Sequence, residues 1–143
     1  MNPTLVLIVL AALVGGTTAL GLVWRSRQGR VKHTNGRTVV RVGDLPDIRR
    51  FASGATLLQF STEVCAPCTA TRRVLGDVAA ERDNVTHIDL DLTHRPDLAN
   101  QFKIMQTPTT LILDRKGVVR ARIGGAPQRD VIRAELDRLL VTA

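Results

Sequence analysis

The sequence predicts an α/β fold: a mixed central sheet with helices on both faces, carried behind one apolar N-terminal segment. Three observations predict it. From Ala55 onward, apolar runs of strand length alternate with amphipathic stretches of helix length. Their order is strand, helix, strand, helix, strand, hairpin strand, helix; the early βαβ unit implies a right-handed parallel crossover, and the late hairpin adds an antiparallel edge. The third observation is length. The chain has 143 residues, and setting the apolar front aside leaves about a hundred, enough for one domain with a sizeable core.

The elements follow in order. Residues 1–4 form a short tail with no lysine or arginine, and residues 5–24 are almost wholly apolar, broken only by glycines and Thr17-Thr18. About twenty residues at 1.5 Å each cross a bilayer core of about 30 Å, so this run predicts a transmembrane anchor, with Trp24 at the interface. A cleaved signal peptide is the competing reading. It requires a basic n-region and a small-x-small site, whereas the tail is uncharged and the run ends in Val23-Trp24-Arg25-Ser26-Arg27. No base precedes the span, and Arg25, Arg27, Arg30 and Lys32 follow it, which predicts a cytoplasm-facing C-terminal side. The same bases are suited to anionic headgroups.

Residues 25–36 read as a basic linker and residues 37–143 as the domain. Arg37–Val42 alternates weakly and predicts a short edge strand; Gly43–Pro46 predicts a turn, with Pro46 opening a short helix through Ala52. Ala55–Ser61 predicts a buried strand, and a helix follows over residues 67–81, with Val74, Leu75, Val78 and Ala79 on its apolar face. Val85–Leu92 predicts the next strand, and a short helix starts at His94–Asp97 with Leu98 and Phe102 four apart. Thr109–Leu113 and Val118–Ile123 predict a hairpin around Arg115-Lys116-Gly117, and Gly124-Gly125 ends it. Pro127 and Asp130 open a last helix whose apolar face is Ile132, Leu136, Leu139 and Leu140.

Between the first strand and its helix lies Val64-Cys65-Ala66-Pro67-Cys68, which contains both of the chain's 2 cysteines. Two thiols in Cys-x-x-Cys spacing at a helix start can close a disulfide and open it again. The first sulfur sits at the positive end of the helix dipole, which lowers its pKa from about 8.5 toward about 7 or below. Two other readings stand beside this one. The cysteines can be buried small hydrophobes, or part of a zinc site that recruits His87 and His94, although no second cysteine pair exists to complete it. A disulfide-dense scaffold is excluded by two cysteines so close together.

Net charge is +7 and uneven. Residues 25–50 hold eight bases and two acids, while the remainder from Phe51 holds twelve bases and eleven acids. Charge crowded beside an apolar span, with few aromatics, reads as a membrane flank and argues against nucleic-acid binding.

At Cys65-Ala66-Pro67-Cys68, and at Thr107-Pro108-Thr109 opening a strand some forty residues later, the sequence resembles the thioredoxin family. Gly124-Gly125 and the closing helix also fit, so the match covers roughly Arg37–Ala143. The apolar segment lies outside it and looks like the anchor of small membrane-tethered thioredoxin-like proteins of bacteria. The resemblance implies a thioredoxin-like sheet flanked by helices. It implies Cys65 as attacking thiolate and Cys68 as resolving thiol, with no cofactor and no metal. It also implies a cis Thr107–Pro108 bond turned toward the sulfurs. Val64, Ala66, Pro67, Thr107, Pro108, Gly124 and Gly125 would then form the substrate groove, where a partner strand pairs with the backbone at residue 107.

Three departures mark this chain. Val64 stands where the family usually has Trp, and Ala66 where it usually has Gly. Gln59 aligns with a buried Asp beneath the second cysteine, and an amide cannot accept the Cys68 proton. His87 aligns near the family's lysine partner of that Asp, which makes His87 and Gln59 the proton-transfer candidates. Glu63 is a further candidate to modulate Cys65, against a plain solvated charge. The function expected is a membrane-tethered thiol–disulfide oxidoreductase that reduces protein disulfides, with a thioredoxin reductase or another thiol donor as its partner. The alternatives are a slow or redox-inactive binding module, and an outward-facing exchange protein of the cell envelope.

Overall fold

The computed structural model describes residues 2–46 and 48–142. Met1, Asp47 and Ala143 lie outside the described residues, and with them parts of the expected tail, of the Pro46–Ala52 helix and of the domain's end. Helix α1 spans Pro3–Arg27, longer at both ends than the apolar run that predicts it. Pro3 stands in its first turn, where the missing N–H costs nothing, and Arg25 and Arg27 close it, cations at the negative end of the dipole. None of its residues is buried. It is long and apolar enough to cross a membrane.

The sheet has five strands in the order β1-β5-β4-β2-β3. Strand β2 (Ala55–Ser61) lies inside it, parallel to β3 (Val85–Asp91) and antiparallel to β4 (Thr109–Asp114). Strand β5 (Val119–Gly124) pairs antiparallel with β4 through a turn in which Gly117 adopts φ +77°, and a Cβ there would meet the Val40 carbonyl and the Phe51 ring. Helix α2 (Ala66–Ala80) crosses between β2 and β3, the short α3 (Pro96–Gln101) precedes β4, and α4 (Arg129–Val141) closes the chain.

The edge of the sheet differs from expectation. The edge strand is β1 (Val31–His33), inside the stretch read as a linker, with Val31 opposite Ile123 and His33 opposite Ala121. Arg37–Val42 is not a strand. Val39 makes one isolated bridge to Val118, flanked by the Val40 N–H to the Gly117 carbonyl at 2.8 Å and the Val119 N–H to the Thr38 carbonyl at 2.9 Å, and Val40 is buried in the core, so the pairing there is a single bridge too short to make a strand. Residues 42–44 form a single 3-10 turn closed by Asp44, whose carboxylate accepts from the Arg41 N–H at 2.9 Å. Residues 48–52 are irregular, so the helix expected after Pro46 is not seen among the described residues.

Two apolar layers sandwich the sheet, divided by the two-residue period of its strands. Leu57, Ile112 and Ile123 face Leu75 and Val78 of α2 and Ile132 and Leu136 of α4. Leu58, Phe60, Leu111 and Leu113 face Leu98 of α3, Phe102 after it, and Val40 and Leu45. Of the residues expected on the buried face of α2, Leu75, Val78 and Ala79 are buried, joined by Cys68 and Thr71. The odd-numbered parity of β2 that buries Leu57 under α2 also carries Gln59 there, two residues nearer the cysteines.

A dithiol at a helix start beside a cis-proline loop

Strands β2 and β3 end together. The Leu92 N–H donates to the Ser61 carbonyl at 2.9 Å, and the Ser61 hydroxyl donates to Asp89 Oδ1 at 2.7 Å. The chain then leaves the sheet and enters α2 within a few residues. Cys65 is the N-cap, with extended backbone at φ −148°, and its carbonyl accepts from the Cys68 N–H at 3.1 Å. Pro67 sits in the first turn, where its fixed φ suits the helix. Cys65 and Cys68 are joined by a disulfide with their Cα atoms 5.3 Å apart. The two cysteines are unequal in exposure. Cys65 is half-buried, whereas Cys68 is 1% exposed on the face of α2 that meets the sheet. Cys65, at the N-terminal end of α2, is thus the more exposed cysteine of the pair.

The loop before β4 meets this helix start. Thr107–Pro108 is cis, and the hydroxyls of Thr62 and Thr107 lie 3.3 Å apart. The Pro108 carbonyl accepts from the Gly125 N–H at 2.8 Å, which ties in the end of β5. Val64 is 98% exposed and Met105 is 92% exposed, an apolar pair flanking the contact between the two loops. Of the expected groove residues, Val64, Ala66 and Pro67 are exposed, Thr107 and Gly124 are half-buried, and Pro108 and Gly125 are buried.

The glycine pair is not merely open floor. A Cβ on Gly124 would meet the Gln106 amide; on Gly125, held at φ +83°, it would come within 3.3 Å of the Gln28 side chain. Both glycines thus let other parts of the chain close on β5. The chain between α1 and β1 is one of them, since the Gly29 N–H donates to the Gly124 carbonyl at 2.8 Å.

Below Cys68 lies a buried polar chain. Gln59 is fully buried; its Nε2 donates to the Cys68 carbonyl at 3.0 Å and its Oε1 lies 3.1 Å from His87 Nε2. An amide oxygen only accepts, so His87 carries its proton on Nε2. The two proton-transfer candidates are therefore in contact, and their hydrogen bonds run to the backbone of Cys68 and not to a sulfur. Burial lowers the His87 pKa, Asp89 opposes that shift, and Arg72 adds to it. Arg72 of α2 in turn holds Asp89 at 2.5 Å.

Glu63 is exposed, and what it contributes to the loop is its N–H, which donates to Thr93 Oγ1 at 2.9 Å. Thr93 is oriented by Asp91 through its own N–H at 2.8 Å and hydroxyl at 2.6 Å. Thr62, Thr93 and Gln106 are site residues that sequence reasoning missed. The Asp-x-Thr pattern at 91–93 is the one local signal, a side chain capping its own turn. His94 is exposed, and among the described residues no group of three or more His, Cys, Asp or Glu is placed to hold a metal ion.

A thioredoxin family model matches residues 47–138. A thioredoxin of Chlamydia trachomatis is 37% identical over 79 residues, 55% of this chain and 76% of that protein. A thioredoxin of Mycolicibacterium smegmatis is 33% identical over 92 residues, 62% of this chain and 81% of that one. Among solved structures, a chloroplastic thioredoxin z superposes with a TM-score of 0.56 at 27% identity, covering 61% of this chain and 79% of its own. A thioredoxin from Nicotiana alata matches in fold at 0.54 and 23% identity, covering 62% of this chain and 75% of its own.

Proposed function

The chain belongs to the thioredoxin family and is a thiol–disulfide oxidoreductase by that membership and its Cys-x-x-Cys pair, and from there we propose that it is a membrane-tethered reductase of protein disulfides. Cys65 and Cys68 are the reacting residues in this reading. The observation that carries it is the unequal exposure of the two cysteines at the start of α2, half-buried Cys65 against a Cys68 that is 1% exposed.

The Cys65 thiolate attacks one sulfur of a partner disulfide. That S–S bond breaks, a Cys65–partner disulfide forms, and the other partner sulfur leaves as a thiolate that takes a proton. Cys68 then loses its proton and attacks the Cys65 sulfur. The Cys65–Cys68 bond forms, the second partner sulfur leaves, and two electrons have passed to the partner. A thiol donor, such as a thioredoxin reductase system, returns the pair to its dithiol state.

Thr107, Pro108, Gly124 and Gly125 border the approach, with Val64, Ala66 and Pro67 on its other side. The close approach of Thr62 to Thr107 supports one continuous binding edge. Gln59 and His87 enter as positioning residues: Gln59 holds the Cys68 backbone, and His87 holds Gln59.

The anchor is residues 5–24, carried by α1. The bases after it favour a domain on the cytoplasmic side, where the thiol pool keeps the pair reduced and makes reduction the productive direction. An outward-facing domain would exchange thiols in the cell envelope instead, and protease protection of the C-terminal domain separates the two.

A fragment beginning at Gln28 keeps β1 and is the one to assay. It is expected to reduce insulin disulfides with dithiothreitol. Cys65→Ser abolishes this, and Cys68→Ser accumulates a mixed disulfide visible on a non-reducing gel. A wild-type fragment without turnover and without a two-electron couple sinks the proposal.

A further inference from the structure

The tether between α1 and the domain is short, and it joins at the dithiol end. Helix α1 ends at Arg27 and β1 begins at Val31, so only Gln28, Gly29 and Arg30 intervene. These residues are fixed in place. The Gly29 N–H donates to the Gly124 carbonyl at 2.8 Å, a Cβ on Gly29 would come within 2.8 Å of the Ala126 carbonyl, and Gln28 packs on Gly125. Strand direction then decides which end of the sheet meets the helix. Strand β5 ends at Gly124 beside Gly29, β4 begins at Thr109 opposite Gly124, and β2 ends at Ser61, next to Thr109's partner Phe60, with Cys65 four residues on. The end of the anchor, the cis-proline loop and the cysteines thus share one end of the sheet. From β1 to β2 is three strand spacings, about 15 Å at roughly 4.8 Å each.

We infer that the dithiol works in the zone next to the bilayer, on disulfides of membrane proteins whose cysteines lie within about 15–20 Å of the surface where the anchor emerges, a distance set by those strand spacings. The inference rests on the membrane-tethered reductase proposed above and narrows its partners. Three intervening residues do not let the domain swing outward, so this distance holds whatever the tilt of the helix. The exposed surface agrees with such a partner. Val64 and Met105 offer an apolar rim at that end, and Arg25, Arg27 and Arg30 flank the exit of the helix, suited to lipid phosphate. A chain segment leaving the bilayer meets both features within its first few residues.

The test is a molecular ruler. The full chain is reconstituted in phosphatidylcholine–phosphatidylglycerol vesicles with a single-span peptide that carries a disulfide-linked fluorophore. The fluorophore sits on a helical spacer of either about 15 Å or about 60 Å beyond the membrane, at about 1.5 Å per residue. Release from the short spacer is expected to be at least about tenfold faster, the size of effect that close positioning supplies. A variant with about sixty Gly/Ser residues inserted between Gln28 and Gly29 gains a flexible reach of about 40–45 Å, which added to the fixed reach of the domain meets the long spacer, and loses most of that preference. Insulin, a soluble protein disulfide, reports the dithiol itself in the same vesicles. Equal rates from both spacers with normal insulin reduction overturn the proximity inference and leave the reductase reading standing. No reduction of insulin overturns the reductase reading, and a chain that does not float with the vesicles overturns the anchoring; the inference falls with either.

Discussion

Gln59 shows how a neutral group serves where a charge would be expensive. It is fully buried at the α2–sheet interface, where an ionised side chain must shed its hydration. An amide has one accepting and one donating end, and here each has a partner, His87 and the Cys68 carbonyl. Gln59→Leu removes both bonds, and thermal or urea unfolding is expected to show a loss of about 1–2 kcal/mol. A change below about 0.3 kcal/mol, the scatter of surface substitutions, would mean the chain of bonds holds nothing.

His87 gives the same layer a pH dependence with a definite sign. Its folded pKa lies below the ordinary histidine value of about 6.5, with burial as the main cause. The unfolded chain therefore binds the proton more readily, so stability is fully present above about pH 6.5 and falls as the pH drops through the lowered folded value. His87→Gln is expected to flatten the stability profile between about pH 7 and pH 5. Further into acid another group takes over. Burial alone would raise the Asp114 pKa, but the N–H groups of Val118 and Lys116 and the Arg120 guanidinium hold it lowered. That contribution is present above the ordinary carboxylate range and is lost as pH falls through the folded value. Asp114→Asn is expected to reduce the acid-side slope and leave the region near pH 6 unchanged. A wild-type profile flat from pH 7 to pH 5 would refute the assignment to His87.

At the scale of elements, what the sequence carried and what it hid follow from how far each signal reaches. The six elements β2, α2, β3, β4, β5 and α4 were legible because their periods are written in neighbouring residues. The cysteine pair and Thr107-Pro108 were legible as short motifs. Strand β1 was not. Val-Lys-His is three residues among bases, and its strand character comes from β5, some ninety residues away. Thr62, Thr93 and Gln106 were hidden for the same reason, since each acts on a loop distant in the chain. The displaced edge has a measurable consequence. A fragment cut at Arg37, where the domain was expected to begin, lacks β1 and the Gly29 contact and leaves β5 as an unpaired edge. It is expected to be about 2–4 kcal/mol less stable than one cut at Gln28, from a few backbone bonds at about 1 kcal/mol each and the burial of Val31. The shorter fragment is also expected to self-associate in sedimentation. Equal stability of the two fragments would show that β1 contributes nothing to the domain.

At the scale of the molecule, the distribution of charge and the chemistry of the dithiol become one question. Of the net +7, residues 25–50 carry +6, and the part of the domain from Phe51 onward is nearly neutral. In the proposed membrane-anchored chain a domain of this length is carried across largely regardless of its own charge, so orientation falls to the few bases beside the helix, and orientation selects the thiol pool that the cysteines meet. On the proposed cytoplasmic orientation, the domain resists protease added to intact spheroplasts, and acid-quenched alkylation finds Cys65 and Cys68 as thiols. Arg25→Gln, Arg27→Gln and Arg30→Gln together remove three charges within the first residues past the apolar run. The triple variant is expected to place a fraction of its chains in the opposite orientation, and the oxidised fraction should rise in step with the protease-sensitive one. The dithiol chemistry itself is untouched, so the purified variant reduces insulin like the wild type. If the wild-type domain is digested from outside, the cytoplasmic assignment is lost and the envelope reading takes its place. If orientation inverts while the pair stays reduced, the compartment's thiol pool does not set its redox state.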